Sequence, residues 1–190
     1  HLSLAAPAFG QTAKALAKMF EQTYLTPVLK LTKMADSTSE IITNQDLALY
    51  VSSVLTDKDV KVIILNVALC DFQMENPTNE RRLSSKKNYH TVLAGVTSKI
   101  ISGIKLVRPD IIVVGFKTTA GADHIEQHAA AKRLMEAGQL DIVLANDLET
   151  RINVLLTPTW YAGGPREFLL EQIVDECIKL YKEGECFRYC

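Results

Sequence analysis

The sequence predicts an α/β fold: a three-layer α/β/α sandwich around a mainly parallel central sheet, in one domain spanning residues 1–190. Three observations carry this expectation. Val60–Leu69, Asp110–Phe116 and Asp141–Ala145 are short and almost continuously apolar, the composition of strands covered on both faces. Stretches with apolar residues at helical spacing alternate with them. The connections are short except around residues 73–98, which read as a loop or flap insertion.

Taken in order, His1–Ala6 reads as a short strand and Gln11–Gln22 as a helix with Ala13, Leu16, Ala17 and Phe20 on one face. Pro27–Thr32 reads as a strand. Thr43 caps a helix over Gln45–Leu55 that turns Leu47, Tyr50, Val51 and Val54 inward. After the Val60–Leu69 strand and the insertion, Lys99–Val107 forms a helix that Pro109 helps to stop. The Asp110–Phe116 strand follows, then a helix over Asp123–Ala137, the Asp141–Ala145 strand and a further strand at Ile152–Leu156. Gly163-Gly164-Pro165 opens a last helix over Arg166–Tyr181, with Pro165 suited to its first turn.

Composition excludes several function classes. Hydrophobic residues make up 47% and charged residues 23%, and the net charge is −1, so no global field points to nucleic acid or a membrane surface. The apolar runs are too short to span a bilayer. Cys70, Cys177, Cys186 and Cys190 lack paired metal-site spacing and read as free thiols, which with the absence of a signal-peptide pattern suggests a cytoplasmic address. His124 and His128 are four apart on one helical face, a metal-compatible spacing, but no third ligand accompanies them and a solvent-facing pair is the simpler expectation. No Gly-x-Gly-x-x-Gly follows any expected strand, which disfavours a dinucleotide oxidoreductase.

What remains is the carboxyl edge of the sheet, where ligands of open α/β folds bind. Three strand ends carry polar groups there: Asn66-Val67-Ala68-Leu69-Cys70-Asp71-Phe72, Val113-Val114-Gly115-Phe116-Lys117-Thr118-Thr119, and Asp141-Ile142-Val143-Leu144-Ala145-Asn146-Asp147. The insertion leaves the first of them with four cations, Arg81, Arg82, Lys86 and Lys87, against Glu75 and Glu80. Such a cluster is either solvated surface or a phosphate-binding loop, since guanidinium pairs with phosphate oxygens.

In order and spacing, with Ala129-Ala130-Ala131-Lys132 on the helix before the third motif, the chain resembles the phosphopantothenoylcysteine synthetase family of coenzyme A pathway ligases. The match covers roughly Val60–Leu148. The resemblance implies a Rossmann-like fold and a ligase that joins 4′-phosphopantothenate to cysteine through an acyl-nucleotide, with ATP or CTP as co-substrate and Mg²⁺. It implies nucleotide contacts from Asp71, Phe116, Lys132, Asn146 and Asp147, and substrate contacts from Ala68, Arg82 and Ser84. It gives Arg82, where the family has lysine, and Lys132 the catalytic phosphate contacts; no protein metal ligand is assigned. It also implies a homodimer built through the flap, within which Asn88–Ala94 has the pattern of a strand outside the main sheet, and a possible flavoprotein decarboxylase partner.

The chain departs from that family at Thr119, where Glu is usual, and at Glu136, where a second basic residue is usual. The family's phosphate-holding Asn-x-Ser-Ser/Thr-Gly loop has no clear counterpart. Either Leu2–Ala6 is the first strand with a shortened loop, or Ser3–Gly10 is the remnant of the loop itself and feeds the helix at Gln11. The position of Phe9-Gly10 favours the second register. These departures leave a second function open, that of a nucleotide- or phosphate-binding homologue with weakened catalysis acting as a regulatory or partner subunit.

Overall fold

A computed structural model describes residues 9–69, 72–74, 93–95 and 100–186. In chain order its elements are α1 (Gln11–Phe20), α2 (Asn44–Thr56), β1 (Val62–Leu65), β2 (Phe72–Met74), β3 (Leu93–Gly95), α3 (Ile100–Val107), β4 (Ile112–Thr119), α4 (His124–Gly138), β5 (Ile142–Asp147), β6 (Asn153–Leu156), β7 (Tyr161–Gly163) and α5 (Arg166–Cys186). Five strands form one sheet in the order β1-β4-β5-β6-β7. The β1–β4 and β4–β5 pairs are parallel, whereas β6 and β7 return antiparallel.

Side-chain alternation along the strands builds the layers. Ile112, Val114, Ile142, Leu144 and Leu155 face α1 and α5, where they meet Leu16, Phe20, Leu169 and Ile173. Val113, Val143 and Ala145 face the other way, against Leu47 and Val51 of α2, Ile104 of α3 and Ala131 of α4. The fully buried Val, Ile and Leu side chains each contribute roughly 1.5–3 kcal/mol of apolar burial. The three-layer expectation therefore holds in its architecture. Reciprocal capping boxes, Thr43 with Asp46 and Asp123 with Glu126, start α2 and α4.

At the amino edge one guanidinium ties three elements together. Arg108 donates to the carbonyls of Leu55, Asp57 and Val60 and forks onto the Asp110 carboxylate, which raises its pKa. Removing it orphans carbonyls at the α2–β1 junction, so Arg108→Ala is expected to cost about 1–3 kcal/mol in urea unfolding. Arg108→Lys should recover only part of that, since an ammonium cannot reproduce the fork.

Several sequence expectations need correction. Pro27–Thr32 forms no strand: among the described residues nothing lies beside it to complete a ladder. The Val60–Leu69 strand shrinks to Val62–Leu65, because its partner register ends where Leu65 meets Gly115. The strand expected at Ile152–Leu156 is present as β6 (Asn153–Leu156) and runs antiparallel to β5, since the short 148–152 connection cannot make a parallel crossover. β7 was not anticipated from the Gly163-Gly164 turn signal. β2 and β3 pair antiparallel in a separate two-stranded sheet, so the latter part of Asn88–Ala94 does enter a strand outside the main sheet. Residues 88–92 and the strand expected at His1–Ala6 lie outside the described residues. No helix among the described residues is long and apolar enough to cross a membrane.

Candidate functional site

The second and third motifs come together at the carboxyl edge: Thr118 pairs with Asn146 and Thr119 with Asp147. Asn146 in turn lies opposite Asn153 of β6, whose carbonyl accepts from Gly164 N. By the strand alternation, Phe116, Thr118, Asn146 and Asn153 share the α1/α5 face, and Phe116 packs half-buried against that helix pair. A row of polar groups thus ends the sheet beside one aromatic ring.

Asp147 points to the opposite face, where its carboxylate serves the protein itself. Oδ1 accepts from the backbone N–H of Gly121, Glu149 and Thr150 at 3.0, 2.9 and 2.8 Å. Oδ2 accepts from Ala122 N at 2.9 Å and from the Thr119 hydroxyl at 2.8 Å. Burial alone would push its pKa up, but the donors from Thr150, Ala122, Thr119 and Glu149 outweigh that and hold it well below the usual carboxylate range. A carboxylate with five protein donors is occupied. The residue sits at the expected edge, yet it ties the β4–α4 loop to the β5–β6 turn rather than presenting a free ligand.

Thr119 gains a meaning from this. A glutamate here would bring a second carboxylate towards Asp147, whereas threonine supplies a donor. The departure in sequence is matched by a local hydrogen bond.

Lys132 is not brought to the same place. It lies on α4, against the other face of the sheet, with its side chain 63% exposed and Nζ 3.9 Å from Glu136 Oε1. Eight residues from the start of α4, it stands about 12 Å along the helix from the carboxyl edge. Ala68 is exposed just beyond β1. Asp71, Arg82 and Ser84 lie outside the described residues.

Sequence reasoning passed over Arg166. It opens α5 at the carboxyl edge, is half-buried, and donates from Nη2 to Thr12 Oγ1 in the first turn of α1 at 2.8 Å. Burial lowers its pKa and Glu167 raises it, with burial the larger influence. Among the described residues no carboxylate stands within ion-pairing distance. The signal was available: a first helical turn favours acidic residues, so a cation straight after Pro165 is out of place unless an anion joins it. α1 starts from Gly10 at φ 73°, and among the described residues no side chain caps its first N–H groups.

The two histidines stack on β7. His128 meets the Tyr161 ring edge-on at 4.9 Å between centroids, and His124 lies 6.4 Å from it. Among the described residues no group of three or more His, Cys, Asp and Glu side chains could hold a metal ion.

Comparison with known proteins gives the family. The sequence profile of the DNA/pantothenate metabolism flavoprotein C-terminal domain matches residues 13–159. Over 111 residues the chain is 31% identical to the coenzyme A biosynthesis bifunctional protein CoaBC of Thermococcus kodakarensis, which covers 58% of this chain and 27% of that protein's length. Its fold is similar to that of the DNA/pantothenate metabolism flavoprotein from Streptococcus pneumoniae, with a TM-score of 0.71 and 19% identity over 92% of this chain and 89% of the other. It is also similar to a Cab2 mutant in complex with phosphopantothenate-cysteine, with a TM-score of 0.57 and 14% identity over 96% of this chain and 81% of the other. At those identities the structural likeness concerns the fold alone. The profile match takes in most of the sequence, and on it the chain belongs to the DNA/pantothenate metabolism flavoprotein C-terminal domain family.

Proposed function

We propose that this domain is a nucleotide-dependent ligase of coenzyme A biosynthesis, joining 4′-phosphopantothenate to cysteine. The observation that carries the proposal is the convergence at one face of the carboxyl edge of Phe116, Thr118 and Asn146 with the open start of α1 and with Arg166. An aromatic ring beside polar strand ends suits a base and ribose, and uncapped N–H groups with a half-buried cation suit phosphates. Family membership and a neighbour that holds phosphopantothenate-cysteine support the choice of substrate.

In this reading the pantothenate carboxylate attacks the α-phosphorus of ATP or CTP and pyrophosphate leaves. The cysteine amine then attacks the acyl carbon, losing a proton, and the nucleoside monophosphate departs. No protein nucleophile is required; the chain contributes orientation and charge stabilisation. Mg²⁺ arrives as part of the nucleotide substrate, as suits an ion usually bound through substrate phosphates and few carboxylates.

The test is pyrophosphate release that requires phosphopantothenate and nucleotide, with product formation that further requires cysteine. Absence of both activities under saturating substrates would sink the ligase reading. Thr119 keeps a second reading in play: nucleotide binding without pyrophosphate release would identify a partner subunit with lost catalysis. Lys132→Ala is expected to change nucleotide affinity less than threefold, since an exposed i,i+4 pair holds the ammonium along α4. The separate β2–β3 sheet is the surface proposed for homodimer formation; a concentration-independent monomer mass in light scattering would rule that out.

A further inference from the structure

Gln127 lies in the first turns of α4 and is 0% exposed. The same helix packs Ala130 and Ala131 onto the sheet, so a buried amide in this row calls for a reason. Its Nε2 donates to the Ile152 carbonyl at 2.8 Å, while Oε1 is buried and has no hydrogen-bond partner among the described residues. Two oxygens repel, so the contact to Ile152 O fixes which way the amide is turned and leaves Oε1 unpaired. An unpaired buried acceptor costs more than one neutral hydrogen bond typically returns. Stability alone therefore does not account for the amide; an apolar side chain of the same length would leave no orphan.

What the amide holds is the peptide that carries Asn153. Ile152 O accepts from Gln127 Nε2 and, across the ladder, from Asp147 N at 3.0 Å, so both of its lone pairs are taken. The peptide unit is planar, and a fixed carbonyl fixes the Asn153 N–H with it. Asn153 bonds twice to Gly164: its carbonyl accepts from Gly164 N and its Nδ2 donates to Gly164 O, both at 3.4 Å. Arg166 follows two residues later at the head of α5. The connection before Asn153 needs an anchor, because Arg151 sits at φ 60°, a left-handed conformation that costs an L side chain energy. Asp147 Oδ1 holds the start of that connection at Glu149 and Thr150, and Gln127 holds its end.

We propose that Gln127 is a positioning residue for the nucleotide site. From the α4 side of the sheet it clamps the Ile152–Asn153 peptide, and so sets the Asn146–Asn153 pair and the Gly164 approach to Arg166 on the opposite side. For its functional consequence this rests on the nucleotide site proposed above; the clamp itself is measurable in the ligand-free chain. The orphaned Oε1 is the stability cost that accompanies the clamp, a local conflict of the kind that sites impose on a fold.

The experiment is NMR and urea unfolding of wild type and Gln127→Met, followed by titration with Mg²⁺-ATP and Mg²⁺-CTP. In wild type the Gln127 side-chain amide protons should exchange ~10²-fold more slowly than those of exposed Gln22. Gln127→Met keeps the length and removes donor and orphan together, so its urea midpoint should equal or exceed that of wild type. Its ligand-free spectrum should nonetheless move at Asn153, Gly164 and Arg166 and stay fixed at Val113 and Ile142. Nucleotide should bind ~10-fold more weakly, with kcat at saturation within about threefold of wild type. Fast exchange of the wild-type side-chain amide, or a variant spectrum unchanged at Asn153 and Gly164, would overturn the clamp. Moved resonances with unaltered nucleotide affinity would overturn the positioning role. So would weaker binding accompanied by a lower urea midpoint and shifts spread over β4 and β5, the mark of a residue that only supports the fold. If wild type binds neither nucleotide while the ligand-free shifts follow the expected pattern, the nucleotide reading fails and the clamp stands.

Discussion

Asp147→Ala is expected to reduce ligation by ~10³-fold or more while leaving most of the sheet in place. The substitution strands four backbone N–H groups and the Thr119 hydroxyl that now share one carboxylate. Both connections it holds, 120–123 and 148–152, flank the row formed by Thr118, Asn146 and Asn153. Loss of one preorganised donor in an active site typically costs ~10²–10³, and here several groups shift at once. Asp147→Asn keeps the shape but replaces half of the acceptor with a donor facing backbone N–H, so it should be nearly as damaging. Thr119→Val, which removes a single donor, should be the mildest of the three.

The same carboxylate sets a pH dependence. Its folded-state pKa is depressed below the ~3.9 of an unfolded aspartate. Its stabilising contribution is therefore fully present above that unfolded value and is lost as pH falls towards the folded one. The gap in urea midpoint between wild type and Asp147→Asn should be widest near neutral pH, still nearly full at pH 5, and clearly narrowed by pH 2.5. A gap that grows on acidification would contradict the assignment.

Two arginines should fail in different ways. Arg166 is anchored on α5 and held by Thr12, so its charge is in place before any ligand arrives. Arg166→Ala should raise the nucleotide dissociation constant ~10–100-fold, the scale of one charge-assisted contact of about 1.5–3 kcal/mol. Thr12→Val should give a smaller loss in the same direction. Arg82, in the basic insertion, is proposed to engage as charge builds at the α-phosphorus; Arg82→Ala should lower kcat by ~10²-fold with little change in nucleotide affinity. Arg82→Lys should retain activity. If Arg166→Ala binds nucleotide as tightly as wild type, the phosphates lie elsewhere; if Arg82→Ala releases pyrophosphate normally, the insertion is solvated surface.

Much of the frame was legible because burial on both faces leaves a plain mark. Val113-Val114 and Ile142-Val143-Leu144 have no polar interruption, so their place in the sheet centre follows from composition. Pairing was harder to read. Pro27–Thr32 has strand composition, but a strand exists only where a neighbour completes its ladder, and composition says nothing about neighbours. The antiparallel turn into β6 could have been read from the five residues 148–152, too few for a crossover. At the carboxyl edge, motif order brought Phe116 and Asn146 towards each other, as the β4–β5 register does. It did not show that the Asp147 carboxylate turns inward, because that depends on backbone N–H groups of residues 121, 122, 149 and 150, which no side-chain motif records. The place of Lys132 was hidden for a related reason: spacing puts a residue on a helix face, and only packing decides which side of the sheet that helix covers.

The central claim is that nucleotide binds on the α1/α5 face of the carboxyl edge. Amide chemical-shift mapping during titration with Mg²⁺-ATP and Mg²⁺-CTP tests it most directly. Shifts are expected to concentrate at Phe116, Thr118, Asn146, Asn153, Gly164 and the first turn of α1, and to vanish at matched concentration in Arg166→Ala. Shifts centred instead on Lys132–Glu136 of α4, or none with either nucleotide up to millimolar concentration, would contradict it.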